Sequence, residues 1–542
     1  MGRYLNSMHP YESYKEVVFD PYFVDKSWLI TELIPALSKR NRYFCITRPR
    51  RFGKSVMANM IGAFFGRIIQ NQASDLFRGL AISSYKGYEK HINQHDVIYI
   101  DFSRMPEKND SYQAYIERIS EGIKADMVSF CPELAVEPTD ALWDVLDMVY
   151  QKTKSKFVFV LDEWDTIFHM PFTTKREQQE YLLFLKNLLK DQVYTELVYM
   201  TGVLPITKYS SGSELNMFLE YDMATKKKFS EYFGFLDQEV DRLFEIYQKS
   251  YLRPEISRED LRAWYDGYYT AKGKKLYNPR SIVCALTDNE LANYWTSSGP
   301  YDEIFYYVRN NIDDVRDDLI LLVAGEGIKA EIQNYAAVSM QLETKDEIYS
   351  AMVVYGLLTY KDGKVFIPNR ELMERFQTLL ISKNSLGYVY RLARKSEQML
   401  EATLAGDTKT MTEILEFAHN TESPIFSYNS EIELSAVVNL VYLAARNRYR
   451  IEREDRAGKG YVDFIFYPEY KGEAGIILEL KVDSKPDEAV QQIKDKNYAL
   501  RFCGRIGEHI RYTGEIIAVG ISYDRKTKEH ACKVEVLSKK NF

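Results

Sequence analysis

The sequence has little of what would build a metal cage, a disulfide framework or a membrane span. Its five cysteines are far apart in 542 residues, and none belongs to a Cys-x-x-Cys pair. Neither a zinc site nor a disulfide framework can therefore be inferred, and we interpret the cysteines as reduced, buried thiols. The most apolar stretch, residues 434–445, is too short to cross a bilayer, so we expect no membrane as a partner.

An excess of positive charge is also absent. Lys and Arg number 71 and Asp and Glu number 78, which gives a formal net charge of −7. This balance excludes a protein that is basic over its whole surface, although a local basic groove for nucleic acid remains open. Because residues 1–17 contain no apolar signal core, we expect the protein to lie in the cytoplasm.

Short apolar strands alternate with amphipathic helices over residues 40–210. The strands have no polar alternation, which is typical of a parallel sheet that helices cover on both faces. The chain is therefore predicted to begin with an α/β domain. The predicted strands are residues 43–47, 97–103, 157–163 and 196–203.

Strand signals fade after residue 230, and residues 231–420 are predicted to be mainly helical. Within this region a helix followed by a hairpin, at about 340–370, is typical of a winged-helix module. Such a module could grip nucleic acid or pack on the first domain, and we favour packing. From 421 to 542 the order helix, strand, strand, helix, strand predicts a second α/β domain. We place the domain borders at 230/231 and 420/421.

A candidate phosphate-binding loop follows the first strand. The loop Arg48-Pro-Arg-Arg-Phe-Gly-Lys-Ser55 connects that strand to a helix, which is the context of a Walker A motif. Lys54 would contact the β- and γ-phosphates of a nucleotide, and the hydroxyl of Ser55 would bind Mg²⁺. Arg48 holds the place of the motif's first glycine, and the alternative is a surface loop with a basic cluster. The predicted nucleotide contacts in this loop are Arg51, Phe52, Gly53, Lys54, Ser55 and Val56.

Two acids end the apolar strand at residues 157–163. Burying Asp162 and Glu163 there is costly unless a cation or a reaction uses them. In a Walker B arrangement, Asp162 would hold Mg²⁺ and Glu163 would be the catalytic residue that polarises the attacking water. The alternative is that the acids cap the next helix. Thr201, at the end of the next strand, is a candidate contact to the γ-phosphate, with simple strand termination as its alternative.

A second candidate site lies in the C-terminal domain. Asp463 interrupts an apolar strand, and Glu479 and Lys481 share one face of the following strand because they are two residues apart. The two carboxylates offer hard oxygen ligands for Mg²⁺, and Lys481 could orient a water or neutralise charge on a reacting phosphate. We therefore predict that Asp463, Glu479 and Lys481 are catalytic. The alternative is an ion pair in a fold that has lost activity.

A basic stripe lies close to this second site in the sequence. Its arginines alternate with other residue types and could contact a phosphate backbone, or form a solvated edge. The stripe consists of Arg446, Arg448, Arg450 and Arg453.

Six ordered motifs in residues 10–290 resemble the AAA-ATPase-like family of bacterial and archaeal proteins. That family has RPRRFGKS where other P-loop proteins have the first glycine, and its members commonly carry a C-terminal nuclease-superfamily domain. The pattern of Asp463, Glu479 and Lys481 likewise resembles the PD-(D/E)xK nuclease superfamily, with Val462 in place of the proline. The six motifs are FVDKSWLITELI (23–34), TRPRRFGKS (47–55), VLDEWD (160–165), TGVLPITK (201–208), WYDGYY (264–269) and LYNPRSIV (276–283).

The resemblance to the nuclease superfamily implies further site residues. Gln492 and Tyr498 match a helix position that often lies beside this kind of site. A glutamate on the first helix of the domain matches either Glu431 or Glu433, and we prefer Glu433 because it keeps its register with the apolar face of the helix. Glu433 and Gln492 are therefore predicted as supporting residues.

Several residues match the ATPase-like family without a role that the sequence supplies. Arg48, Arg50 and Arg51 could add charge at the phosphates, or form surface or interdomain salt bridges. Asp101, at a strand end, could belong to the outer shell of the Mg²⁺ site. Asp25-Lys26 has no role that we can derive, and the aromatic residues of WYDGYY are expected to pack in a core.

Together these patterns predict an ATP-binding and ATP-hydrolysing protein fused to a Mg²⁺-dependent nuclease-superfamily domain. Its fold class would be α/β, with a P-loop NTPase parallel-sheet domain, a helical region with a winged-helix-like segment, and a C-terminal PD-(D/E)xK-like domain. We expect ATP and Mg²⁺ as cofactors and nucleic acid as a partner, with DNA or RNA and a homo-oligomer left open. The alternative is a nucleotide-dependent switch or scaffold whose nuclease-like domain binds without cutting.

Overall fold

The computed structural model describes most of the chain and divides it into two compact units. The first unit comprises residues 1–301 and 329–372, and the second comprises residues 302–328 and 373–542. The three-domain division predicted from the sequence stays a prediction. The described residues are 2–67, 76–104, 111–170, 172–206, 214–295, 312–332, 344–382, 388–419, 431–457, 460–469, 472–503 and 514–537.

Helices and strands follow the predicted order over residues 43–202, whereas Tyr449–Ala457 and Glu529–Leu537 form two strands that the predicted order of the C-terminal domain lacks. The helices are α1 (His9–Val18), α2 (Ile30–Leu33), α3 (Lys54–Phe65), α4 (Tyr88–His91), α5 (Tyr112–Phe130), α6 (Leu142–Thr153), α7 (Lys175–Leu189), α8 (Asp237–Ser250), α9 (Arg258–Tyr265), α10 (Pro279–Asp288), α11 (Ile312–Val323), α12 (Lys345–Tyr355), α13 (Arg370–Ser382), α14 (Tyr388–Arg394), α15 (Ser396–Ala405), α16 (Thr408–His419), α17 (Glu431–Val441) and α18 (Pro486–Asp495). The strands are β1 (Tyr43–Thr47), β2 (Asp96–Asp101), β3 (Phe157–Asp162), β4 (Thr195–Gly202), β5 (Leu219–Tyr221), β6 (Tyr268–Tyr269), β7 (Lys275–Leu276), β8 (Ile328–Lys329), β9 (Thr359–Lys361), β10 (Lys364–Phe366), β11 (Tyr449–Ala457), β12 (Gly460–Pro468), β13 (Gly475–Val482), β14 (Ile516–Asp524) and β15 (Glu529–Leu537).

The first unit is built on a five-stranded sheet in the order β2-β3-β4-β1-β5. Every pair in this sheet is parallel, which confirms the predicted parallel sheet. β1 and β3 are buried along their whole length, because apolar clusters cover both faces of the sheet. The carboxyl ends of these strands therefore meet at one edge, where ligands bind in sheets of this kind.

A layer of three helices, α8 to α10, adjoins this sheet within the first unit. Their apolar faces share one buried cluster, which also takes in Tyr22 from the N-terminal segment. Trp264 and Tyr265 belong to the same cluster, and Tyr268 is buried in a neighbouring one. These aromatic residues of WYDGYY thus pack in cores, as the sequence predicts.

The predicted helix and hairpin at about 340–370 are present. α12 begins with a capping box formed by Thr344 and Glu347 and ends at Gly356 in the left-handed conformation. β9 and β10 pair antiparallel, and Asp362 and Gly363 between them have φ of 50° and 79°. Positive φ at both central residues is the geometry of a type I′ turn, which matches the right-handed twist of the two strands.

The second unit contains a mixed five-stranded sheet in the order β11-β12-β13-β14-β15. β13 and β14 run parallel, and the other neighbours run antiparallel. α18 packs against β13 and β14, and α17 also packs against β13, so the central strand β13 is covered by helices. In the described part of the chain, no helix has both the length and the apolar character needed to cross a membrane.

Candidate nucleotide site and candidate nuclease site

The loop between β1 and α3 has the backbone shape of an anion site. Arg51 and Gly53 have φ of 69° and 85°, so the chain turns sharply before α3 begins at Lys54. A Cβ at Gly53 would meet nothing within 4 Å, so the positive φ, rather than lack of space, is what favours glycine there. The first backbone N–H groups of α3 lack partners within the helix and can receive a phosphate.

Lys54 lies inside the curve of this loop. Its ammonium donates hydrogen bonds to the carbonyl oxygens of Arg48, at 3.1 Å, and Pro49, at 3.0 Å. Burial lowers the pKa of Lys54, while the nearby carboxylates Asp165, Asp162 and Glu163 act in the opposite direction. The loop thus holds a buried cation beside three acids.

Asp162 joins three elements at the carboxyl edge of the sheet. Its Oδ1 accepts a hydrogen bond from the hydroxyl of Thr201 on β4, and the carboxylate also bonds the hydroxyl of Ser55 on α3. Burial raises the pKa of Asp162, and these two hydrogen bonds oppose that rise. A buried carboxylate that touches the hydroxyl of Ser55 offers the hard oxygen donors that Mg²⁺ prefers, so these residues fit the cation.

Glu163 follows in a strained conformation with φ of 53°. Burial raises its pKa, and the adjacent charge of Asp162 raises it further. The next acid, Asp165, accepts hydrogen bonds from the backbone N–H groups of Val203 and Leu204, at 3.0 and 2.8 Å. The turn after β3 is therefore fastened to the turn after β4.

Arg48 is buried, and its guanidinium forms hydrogen bonds with three backbone carbonyl oxygens. It donates to the carbonyl oxygens of Thr47, Tyr221 and Phe229 at 2.7, 2.7 and 2.9 Å. The guanidinium also lies 4.7 Å from the ring centre of Phe233. Arg48 ties the loop to β5 and the segment that follows, in place of a surface salt bridge. A phosphate contact by at least one of Arg48, Arg50 and Arg51 stays a prediction.

A cavity of about 960 Å³ opens in front of this loop. This volume is in the upper range of small-molecule sites. Arg50 to Met57 line one side together with Glu163 and Asp165, whereas residues 16–26, 232–235 and 279–284 supply much of the rest. Arg51 also donates to the carbonyl oxygen of Tyr294 at 3.3 Å.

The cavity contains residues that the sequence reasoning missed. Tyr22, Phe235 and Arg280 line it, and Arg280 lies in the first turn of α10. The motifs FVDKSWLITELI and LYNPRSIV could have indicated these residues, because Phe23 at the start of the first motif and Val283 at the end of the second also line the cavity. Asp101 pairs with Asp162 in the sheet register but accepts hydrogen bonds from Ser103 and Arg104.

The candidate nuclease residues converge on the central strand of the second unit. Glu479 lies on β13, and the antiparallel register of β12 and β13, extended by one residue, sets Asp463 opposite it. Oδ2 of Asp463 accepts a hydrogen bond from the backbone N–H of Leu480 at 2.7 Å. Opposite residues of an antiparallel pair share a face, so the two carboxylates and Lys481 lie on one side of the sheet.

Glu479 is 3% exposed, and one of its two carboxylate oxygens has hydrogen-bond partners while the other has none among the described residues. Its Oε1 accepts hydrogen bonds from Lys481, at 3.3 Å, and from the amide of Gln492, while its Oε2 has no partner among the described residues. Burial and the nearby charge of Asp463, opposed by Lys481, together raise the pKa of Glu479 to about 7. An orphaned carboxylate oxygen next to a second carboxylate fits a divalent cation.

Asp463 and Glu479 supply few protein ligands for a metal site. Among the described residues, no group of three or more His, Cys, Asp or Glu side chains is arranged to hold a metal ion. A cation here would therefore rely on Asp463 and Glu479, with water completing its shell, as Mg²⁺ often does. Glu433 is half-buried on α17, which packs against β13, whereas the side chain of Glu431 lies outside the described residues.

The described arginines of the basic stripe have partners within the second unit. Arg446 donates to Asn439 at 3.0 Å, and Arg448 pairs with Glu473 at 2.8 Å. Arg450 lies 3.4 Å from Glu452. These contacts favour a solvated edge over a phosphate contact. The side chain of Arg453 lies outside the described residues.

Comparison with known proteins agrees with an ATPase-like domain in the first unit and a nuclease-like domain in the second. Residues 11–211 match the family described as predicted AAA-ATPase, and residues 435–531 match the PD-(D/E)XK nuclease superfamily. An uncharacterised protein from the vnfD 5′ region of Azotobacter chroococcum mcd 1 is 25% identical over 288 residues, which are 52% of this chain. The chain spans only about half of that relative, 51% of its length.

Solved structures are similar at a lower level. The Walker-type ATPase of Pyrococcus abyssi is 13% identical, with 65% of this chain and 94% of that chain covered and a TM-score of 0.34. The ORC1 protein of Aeropyrum pernix, solved in complex with DNA, is 11% identical, with 67% and 96% covered and a TM-score of 0.28. TM-scores this low support no conclusion about function. The two family matches assign residues 11–211 to an AAA-ATPase-like domain and residues 435–531 to the PD-(D/E)XK nuclease superfamily.

Proposed function

We propose that the first unit binds and hydrolyses ATP with Mg²⁺, and that the second unit uses Mg²⁺ to bind or cleave nucleic acid under control of the nucleotide state. The observation that carries the first half is that Lys54, Ser55 and Glu163 line one cavity, while Asp162 bonds the hydroxyl of Ser55. The loop and the two adjacent acids come from separate stretches of sequence, so their meeting at one place favours a shared function.

In the nucleotide site each residue has a distinct role. Lys54 would contact the β- and γ-phosphates, and the backbone of residues 51–56 would hold the phosphate chain. Ser55 and Asp162 would hold Mg²⁺, which neutralises charge on the phosphates. Glu163 would take a proton from the attacking water, for which its raised pKa is suited. Thr201 orients the carboxylate of Asp162 through its hydroxyl.

In the nuclease site the proposal rests on Glu479. Asp463 and Glu479 would hold Mg²⁺, which polarises a scissile phosphate and lowers the pKa of a bound water. Lys481 would position that water, and Gln492 fixes the orientation of Glu479 through its amide. The orphaned Oε2 of Glu479 supports a cation at this position.

The second candidate function is a scaffold whose nuclease-like unit binds nucleic acid without cutting. One observation favours it: Lys481 already pairs with Glu479 at 3.3 Å, as it would in a site that has lost its metal. A bound cation would compete with this ion pair for Oε1 of Glu479. A cytoplasmic setting for either function is part of this proposal, because five widely separated cysteines without a Cys-x-x-Cys pair fit reduced thiols.

One set of assays separates these functions. Full-length protein is tested with Mg²⁺ on single- and double-stranded DNA and RNA, with and without ATP, while phosphate release is followed in parallel. The proposal expects ATP hydrolysis that Lys54→Ala removes and cleavage that Glu479→Ala removes. Binding of nucleic acid without cleavage in every nucleotide state would select the scaffold. Absence of ATP hydrolysis would contradict the nucleotide site.

A further inference from the structure

The segment FVDKSW contains a buried cation next to the cavity in front of the loop between β1 and α3. We call this cavity the nucleotide cavity, after the function proposed for it. Lys26 lines the cavity and is 7% exposed. Its ammonium donates to both carboxylate oxygens of Glu239, each at 2.7 Å, and to the carbonyl oxygen of Glu231 at 3.0 Å. An ammonium has three N–H groups, and these three acceptors use all of them. Lys26 therefore has no donor left for a bound nucleotide.

Glu239 connects this cation to the start of α8. Its Oε2 also accepts a hydrogen bond from the backbone N–H of Leu236 at 2.8 Å, so the side chain of Glu239 caps the N-terminus of the helix. The carboxylate of Glu231 binds Lys272 and Lys274 at 2.8 and 2.6 Å, in the turn between β6 and β7. Lys26 thus fastens both ends of residues 231–239.

Tyr22 makes a second attachment four residues earlier. Its ring belongs to the buried cluster of α8, α9 and α10, and its hydroxyl donates to the carbonyl oxygen of Leu286 at 3.3 Å. Tyr22 and Lys26 form one wall of the cavity, and Phe235 and Arg280 from the helical layer form another. The segment 22–26 therefore contacts the cavity on one side and the helices on the other.

We propose that the ion pair of Lys26 and Glu239 positions the helical layer α8 to α10 against the nucleotide cavity, and so sets nucleotide affinity without contacting the nucleotide. Lys26 and Glu239 are positioning residues in this proposal, which rests on the proposed nucleotide site. Their hydrogen bonds span more than 200 positions of sequence, since the two residues are 213 apart. Loss of the pair would leave Phe235 and Arg280 attached to residues 22–26 through the apolar contacts of Tyr22 and Val24 and the hydrogen bond of Tyr22.

The test must separate positioning from stability. Removing one partner of a buried ion pair leaves a buried charge, which is strongly destabilising, whereas removing both charges is often close to neutral. We therefore choose the double variant Lys26→Met, Glu239→Gln, since glutamine keeps an oxygen for the cap at Leu236. The matched control is Arg258→Met, which breaks a half-buried ion pair of the same helix: Arg258 binds Asp237 and Asp241 at 2.6 and 2.7 Å and lies outside the cavity lining.

The measurement uses the full-length chain, Mg²⁺ and a fluorescent ATP analogue. The double variant should bind the analogue at least tenfold more weakly, with faster dissociation and a raised KM, while kcat changes by less than threefold. Lys26→Arg keeps the charge and a bidentate pair, so it should bind within threefold of wild type. Arg258→Met should also bind as wild type. Where the double variant does not fold, Lys26→Leu with Glu239→Gln, which also removes both charges, serves in the same comparison.

Two results would overturn the inference. One is a double variant that binds the analogue as tightly as the wild-type protein. The other is an equal loss of affinity in both variants, because the loss would then follow from damage to α8 in general. Failure of the wild-type protein to bind the analogue would contradict the nucleotide site itself, which separates the two proposals.

Discussion

Replacing Glu479 by glutamine should remove a loss of stability that the second unit suffers as pH rises. Burial, with help from Asp463, raises the pKa of Glu479 from an ordinary value of 4.5 to about 7. A carboxyl with a raised pKa favours its protonated form in the folded chain. Its contribution to stability is therefore fully present below pH 4.5 and is lost as pH rises through 7.

The size of this effect follows from the shift. Each pKa unit corresponds to about 1.4 kcal/mol, so the complete loss for Glu479 is on the order of 3 kcal/mol, of which about 2 kcal/mol falls between pH 5.5 and 8. For a unit of about 200 residues, 1 kcal/mol corresponds to roughly 2–4 °C in the midpoint of thermal unfolding. We therefore expect a decline of about 4–8 °C across this pH range that depends on Glu479.

Scanning calorimetry of the full-length protein at pH 5.5 and pH 8 measures this decline. The transition of the second unit should move with pH in wild type more than in Glu479→Gln, because glutamine does not titrate. Glu535→Gln is the matched control: Glu535, on β15 of the same sheet, pairs with Lys494 of α18 at 2.6 Å but is well exposed, so its loss should leave the pH dependence unchanged. Equal pH dependence in wild type and Glu479→Gln would refute the reasoning.

Magnesium adds a second readout to the same experiment. At pH 8 the ionised Glu479 can bind Mg²⁺, and a ligand that binds only the folded state raises the unfolding temperature. Without nucleotide, Mg²⁺ should therefore raise the transition of wild type at pH 8 and have a smaller effect at pH 5.5, where protons compete. Glu479→Gln should show neither change. If Mg²⁺ does not change the unfolding temperature of the wild-type second unit at pH 8, the result would favour the scaffold function.

Further substitutions test the two sites and the loop between β1 and α3. Lys54→Ala should abolish ATP hydrolysis in a phosphate-release assay, because it removes the cation at the β- and γ-phosphates; hydrolysis at the wild-type rate would disprove the assignment. Glu163→Gln should retain ATP binding but slow hydrolysis by at least about 100-fold, and an unchanged rate would exclude it as the general base. Arg48→Ala should destabilise the first unit by at least about 3 kcal/mol in denaturant titrations, since three charged hydrogen bonds are lost, and a change below about 1 kcal/mol would contradict this. Glu479→Ala should remove any nucleic-acid cleavage and spare ATP hydrolysis, whereas Lys481→Ala should remove cleavage and keep the Mg²⁺-dependent rise in unfolding temperature; continued cutting by either variant would point to another site.

The sequence predicts the parts of the fold that depend on local patterns of apolar and charged residues. β1 and β3 are runs of apolar residues without alternation, and such runs are stable only when both faces of a sheet are covered. The acids Asp162 and Glu163 break this pattern at the strand end, and a pair of charges next to a buried run is itself the signal of a site. The same logic finds Asp463 and Glu479, two acids in otherwise apolar strands.

The parts that the sequence does not predict depend on distant partners. β5 has three residues, is partly exposed and pairs with only one described strand, so it leaves no periodic signal. The helices α8 to α10 have the pattern of an amphipathic layer, but nothing local says that Phe235 and Arg280 face the nucleotide cavity. Lys26 contacts Glu239 across 213 positions, and a contact of that range cannot be inferred from spacing.

The missing glycine of the phosphate-binding loop shows how the structure resolves a departure from the usual motif. Positive φ, the conformation that favours glycine, occurs in this loop at Arg51 and Gly53 and not at position 48. An arginine is therefore tolerated at position 48. Its guanidinium then does what a glycine could not, since it bonds the carbonyl oxygens of Tyr221 and Phe229 and so anchors the short edge strand β5 to the loop. The strain is carried instead by Arg51, next to the proposed phosphate position, where a constrained backbone would direct N–H groups toward an anion.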